Sequence, residues 1–176
     1  MMKENIEELN NNAIHLAQKG NFDEAVACFK RAITLDKENY LLWFNLALTY
    51  RDAGYIEKAI SSMEKAHAMN PEDPEILETL ANLNLSIERT QTALHYLFMG
   101  LSLNENNDHL WNSLGVLLFQ NNEFTSACEC FEHAVTINPF YYDAFYNLAD
   151  CYDELGNKKA AAICREQMKN LSKSQL

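Results

Sequence analysis

Residues 21–39 read NFDEAVACFKRAITLDKEN, with Ala25, Phe29 and Ala32 spaced as one face of a helix. The same punctuation returns as YIEKAISSMEKAHAMNPED at 55–73 and as EFTSACECFEHAVTINPFY at 123–141. Down the chain, Ala25, Ala59, Ala93, Ala127 and Ala161 stand 34 residues apart. Other columns with this period are Ala13, Ala47, Ala81, Gly115, Ala149 and Leu46, Leu80, Leu114, Leu148, the latter preceded by Asn12. Five copies fit without insertion, at 6–39, 40–73, 74–107, 108–141 and 142–176, and together they make residues 1–176 a single repeat domain.

Each copy divides into two amphipathic stretches. In the second, LLWFNLALTYRD at 41–52 carries Trp43, Leu46, Ala47 and Tyr50 at helical spacing. Gly54 interrupts the pattern, 56–69 resumes it with Ala59, Met63 and Ala66, and Asn70-Pro71 stops it. The loop NENND at 104–108 has no proline but is polar enough to turn, and no strand-like alternation is present. Two antiparallel helices approach closely only where side chains are small, which accounts for the Ala and Gly columns. Large residues such as Phe29, Trp43, Leu97 and Phe131 fill the space beside them, each worth about 1.5–3 kcal/mol on burial. A lone hairpin leaves apolar surface exposed, so the copies must stack.

These residues resemble the tetratricopeptide repeat family over nearly the whole chain. Its pattern is met by Trp43, Leu46, Ala47, Tyr50, Gly54, Ala59, Ala66 and Pro71, with Met63 in place of an aromatic residue. The fourth copy offers Trp111, Leu114, Gly115, Ala127, Phe131, Ala134 and Pro139; the third departs at Asn84, Glu88 and Gly100. The resemblance implies an all-α fold, a right-handed α-solenoid of antiparallel helix pairs. Asn12 and Arg165 replace core residues in the first and last copies, as the polar ends of a finished stack would. The last helix is then expected to be partly uncovered, leaving self-association through this end open.

Composition narrows the partners. A net charge of −11 with no Lys/Arg cluster speaks against nucleic acid. The opening residues lack the apolar segment of a secretory signal, and no apolar run approaches the roughly 18 residues of a membrane span. A cytoplasmic location follows by default, and five cysteines without an export signal suit a reducing compartment. Catalytic and metal chemistry find little support. Cys128 and Cys130 are two apart, about 200° around a helix, and Cys130 with His133 supplies only two ligands. Cys151 is expected near Cys128 as a buried thiol pair. His15, His67, His95, His109 and His133 fall in different columns with no nucleophile beside them, and no phosphate-binding loop is present. No cofactor, metal or catalytic residue is therefore assigned.

Stacked repeats of this kind line a concave face with their first helices. One first-helix column reads Asn11, Asn45, Thr79, Ser113 and Asn147, every member able to donate and accept a hydrogen bond. It is similar to the asparagine ladder of tetratricopeptide superhelices, and implies capture of a peptide backbone. The alternative is that these groups bridge neighbouring first helices. Phe44, Leu48, Leu85, Val116, Phe119 and Tyr146 are expected beside the column, as an apolar floor for a partner or as seals between helices; Asn82 and Asn112 join the polar set. Asp143, Asp150, Asp153 and Glu154 make one end acidic, suited to a basic residue of the partner. The carboxylate-clamping members of the family use cations where this chain has Asn10, Asn11, Phe44, Asn45, Glu75, Thr79 and Asn82, so an acidic-tail clamp is not expected. The function expected is a non-catalytic scaffold that binds a peptide segment of a partner protein. Self-assembly and chaperoning of an exported protein are the alternatives.

Overall fold

The computed structural model describes residues 5–173. Its elements there are ten helices: α1 Ile6–Gln18, α2 Phe22–Leu35, α3 Tyr40–Asp52, α4 Ile56–Met69, α5 Pro74–Leu85, α6 Thr90–Leu103, α7 Asp108–Gln120, α8 Phe124–Ile137, α9 Tyr142–Glu154 and α10 Lys158–Lys173. First helices begin at 6, 40, 74, 108 and 142, and second helices at 22, 56, 90, 124 and 158. The 34-residue period read from the sequence is therefore the period of the helix pairs, and the fold class is all-α, that of an α-solenoid.

The turn inside each pair explains why the period is so regular. Residues 20, 54, 88, 122 and 156 all have positive φ, as Gly20, Gly54, Glu88, Asn122 and Gly156. In each case the next residue donates its N–H five residues back: Asn21 to Leu16, Tyr55 to Tyr50, Arg89 to Asn84, Glu123 to Leu118 and Asn157 to Tyr152, at 2.8–2.9 Å. This is the Schellman closure, in which one left-handed residue lets the chain reverse while the last helical carbonyls stay paired. Glycine adopts that conformation freely and asparagine tolerates it, whereas Glu88 carries the Cβ penalty. The third copy's departure at this position leaves the turn intact but costs it energy.

The chain divides into two compact units, Met1–Ala93 and Leu94–Leu176. In the first, α1 packs on α2, α2 on α3, α3 on α4 and α4 on α5; in the second, α7 packs on α8, α8 on α9 and α9 on α10. Helix α6 begins in the first unit and runs on into the second. Ala25, Ala59, Ala93, Ala127 and Ala161 are all fully buried, as close helix crossing requires. Gly115 is tighter still: a Cβ there would lie 2.6–2.9 Å from ring atoms of Phe131.

Between copies the loops are pinned by side chains. Trp43 Nε1 donates to the Lys37 carbonyl at 3.0 Å, and Trp111 Nε1 to the Glu105 carbonyl at 2.7 Å. The family tryptophan thus fills space and also fixes the incoming loop. Helix starts are capped by Asn5, by Asp73 ahead of Pro74, and by Asn107, each accepting from N–H groups of the first turn.

Candidate functional site

In the unit Met1–Ala93, α1 and α3 meet along their first-helix sides. Asn45 Nδ2 donates to Asn10 Oδ1 at 3.1 Å across this seam. Asn11, one residue on, is exposed, and Thr79 on α5 is half-buried. Phe44 is only 8% exposed, so it seals the helices together. Leu48 and Leu85 are half-buried and Asn82 is exposed. Asn84, two residues beyond, is buried and turned onto its own helix, its amide donating to the Leu80 carbonyl at 2.8 Å.

The unit Leu94–Leu176 repeats the arrangement. Asn147 Nδ2 on α9 donates to Asn112 Oδ1 on α7 at 2.9 Å. Ser113 is buried and Tyr146 exposed, with Asp150 half-buried. Val116 and Phe119 lean on the cluster formed by Ala127, Cys128, Phe131, Leu148, Ala149, Cys151 and Cys164. Phe119 meets Phe124 edge-on, with ring centroids 5.2 Å apart. In both units the column asparagine is thus tied to an asparagine in the neighbouring first helix, 35 residues earlier. The partner amides Asn10 and Asn112 stand one residue before the ladder column, in a column that also holds Phe44, Glu78 and Tyr146, so the sequence marks them only by their common asparagine 102 residues apart.

The acidic end is occupied from within the chain. Arg165 of α10 lies 2.5 Å from Asp153 and 3.5 Å from Asp150. Arg165, which stands where the other copies carry an aromatic or aliphatic residue, therefore gives Asp150 and Asp153 a counter-charge from within the chain. Such solvent-exposed pairs add little to stability.

The four buried thiols, Cys128, Cys130, Cys151 and Cys164, are held in their protonated form at neutral pH. Burial, then the neighbouring Cys151 and Glu132, pushes Cys128 up to about 12. Burial, then Glu129, does the same for Cys130, also to about 12. Cys151 and Cys164 are raised as well, mainly by burial. Cys151 lies near Cys128, as the repeat register implied, and its Sγ donates to the Phe124 carbonyl at 3.0 Å. Protonated, hydrogen-bonded thiols are poor nucleophiles. Among the described residues no helix is long and apolar enough to cross a membrane.

Helix pairs recurring every 34 residues, with an amide pair joining neighbouring first helices in each unit, define a helical repeat protein. The chain belongs to the tetratricopeptide repeat family: the model described as "TPR repeat" matches 15–54, and models described as "Tetratricopeptide repeat" match 42–83, 108–141 and 130–163. Members of this family generally mediate protein–protein interactions. The BBSome complex member bbs-4 of Caenorhabditis elegans is 23% identical over 134 residues, 76% of this chain and 29% of that protein. The chain spans only about a fifth to a third of the length of such curated relatives. Among solved structures, MamA from residue 41 to its end, of Desulfovibrio magneticus RS-1, superposes with a TM-score of 0.80 at 16% identity, covering 99% of both chains. YrrB, a tetratricopeptide repeat protein described as having an unusual peptide-binding site, gives 0.68 at 23% identity, covering 93% of this chain and 84% of its own. At these identities the likeness concerns the fold.

Proposed function

We propose that the protein is a non-catalytic interaction module that holds a peptide segment of a partner against its first helices. The observation that carries this reading is the recurrence of one amide pair, Asn10–Asn45 and Asn112–Asn147, at the same repeat positions in both units. A side-chain amide offers two N–H groups and two lone-pair sites. One amide–amide hydrogen bond orients both groups and leaves most of that capacity for a ligand's backbone. The bridging role and the binding role are compatible, because a pre-oriented amide loses less entropy on binding. Asn11, Thr79 and Asn82 would extend the polar set in the first unit, with Leu48 and Leu85 beside them. Asn112, Asn147 and Asp150 would do so in the second, with Val116, Phe119 and Tyr146. Phe44 and Ser113 contribute as buried framework. YrrB, of the same fold, lends support through the peptide-binding site ascribed to it.

The test is a display selection of random dodecapeptides on the intact chain. Ligands of the first unit's seam should lose about tenfold or more in affinity on Asn10→Ala with Asn45→Ala, as expected for one or two lost ligand hydrogen bonds. Far-ultraviolet circular dichroism should stay unchanged. Full affinity of every selected peptide for that variant, and for Asn112→Ala with Asn147→Ala, refutes the reading.

A second reading, self-assembly, is favoured by exposure on α9 and α10. Tyr146 is 53% and Ile163 61% exposed, and Tyr142, Tyr146 and Met168 line a depression of about 280 Å³. Sedimentation over a hundredfold concentration range decides it: an invariant monomer removes this alternative.

A further inference from the structure

The unit Met1–Ala93 has another depression, of about 420 Å³, between the second helices α2 and α4 over α3. Its floor is apolar, from the buried Ile33, Leu46 and Tyr50. Its rim carries three lysines held over aromatic faces. Lys65 Nζ lies 4.1 Å from the Trp43 ring centroid, Lys58 Nζ 4.3 Å from that of Tyr55 and 5.6 Å from that of Tyr50, and Lys30 Nζ 5.9 Å from that of Tyr50. The rings restrict these long side chains without neutralising them. Among the described residues none of the three lysines makes an ion pair. Three unneutralised cations converge on one hollow in a chain whose net charge is −11.

The other unit supplies an internal control. At the equivalent positions, 102 residues on, Leu148 and Tyr152 repeat the floor, but the lysines become Glu132, Ala160 and Gln167. There Tyr152 donates its hydroxyl proton to Glu132 Oε1 at 2.5 Å. The same helical frame is built without a single cation, so the lysines are not required by the fold. They change what the hollow attracts.

We propose that the Lys30–Lys58–Lys65 hollow is a docking site for an acidic peptide segment, one that seats an aromatic or long aliphatic side chain on Tyr50 and Trp43 while flanking carboxylates meet the lysines. It is lined by different residues from the amide seam and opens between the second helices α2 and α4, sharing only α3 with the seam, so the module would have a second binding surface. Charge complementarity selects the occupant. A long polyanion such as nucleic acid gains at this site but meets the repulsion of the rest of the surface, whereas a short acidic peptide meets only the hollow. The volume of the hollow suits one large side chain.

The experiment transplants the other unit's residues, as Lys30→Glu, Lys58→Ala and Lys65→Gln together. Random dodecapeptides selected on the wild-type chain should be enriched in Asp and Glu around one large apolar residue, and a synthetic copy should change Trp43 emission. Its affinity should fall at least tenfold in the triple variant and between about 50 and about 500 mM NaCl as screening increases. It should persist in the Lys→Arg triple variant, which keeps the charge, and in Asn10→Ala with Asn45→Ala, which alters only the seam. Circular dichroism controls for folding. Absence of acidic enrichment overturns the proposal, as does undiminished binding to the triple variant. Lysine-dependent binding seen only with phosphatidylserine vesicles overturns it too.

Discussion

Replacing Gly115 by alanine sets two effects of known sign against each other. Gly115 lies inside α7, where alanine is intrinsically favoured by about 1 kcal/mol. The added Cβ would, however, stand 2.6, 2.7 and 2.9 Å from three atoms of the Phe131 ring. Phe131 is 1% exposed and sits among Ala127, Leu148, Ala149 and Cys151, so the ring has no open side to yield into. Overpacking of this kind costs about 1–3 kcal/mol. The expected balance is a destabilisation of about 1 kcal/mol, or some 2–4 °C for a chain of this length. Urea titration followed by circular dichroism at 222 nm reads it as a lower midpoint. Adding Phe131→Met recreates the Ala47/Met63 combination of the second copy and should recover most of the loss. The first copy sharpens the test, since Ala13 and Phe29 occupy the same columns and are both buried there. A methyl and a phenyl group can therefore coexist when the crossing is wider. If Gly115→Ala raises the midpoint, the α7–α8 crossing has that slack and the close-approach argument fails.

Two further perturbations follow from the turns and the thiols. Glu88→Gly relieves the Cβ penalty of a left-handed residue at φ 61° and should stabilise the chain by about 1 kcal/mol, less the entropy glycine adds to the unfolded state; an unchanged melting temperature would show that the turn is unstrained. Cys128 and Cys130 stay protonated in the folded chain up to about pH 12, whereas unfolded thiols ionise near pH 8.5–9. Above about pH 9 the unfolded state therefore binds fewer protons, and the stability owed to these groups, complete below that pH, is lost as pH rises towards 12. Chemical denaturation between pH 8 and 11 should show a steeper fall for the wild type than for Cys128→Ala with Cys130→Ala, and parallel curves would contradict the burial argument.

The repeat is legible in the sequence because its signals are local. An alternating pair of apolar stripes and one left-handed residue per copy are written within each 34 residues, and Glu88 and Asn122 show that the turn survives without glycine. The site was less legible. Asn45 and Asn147 were visible as column members, but their pairing with Asn10 and Asn112 depends on how two first helices are rotated against each other. An error of one residue in phase turns a side chain by about 100°. Phe44 shows the consequence: its spacing placed it beside the polar column, and packing buried it.

The succession of helix pairs, their lengths and their small-residue crossings belong to the sequence alone, because periodic burial and backbone chirality act over a few residues. Only tertiary packing decided that Arg165 would settle on Asp150 and Asp153, that Asn45 would reach Asn10, and that Lys30, Lys58 and Lys65 would border one hollow. Those meetings join separate helices, and their distances depend on crossing angle and rotation, which a one-dimensional pattern does not carry.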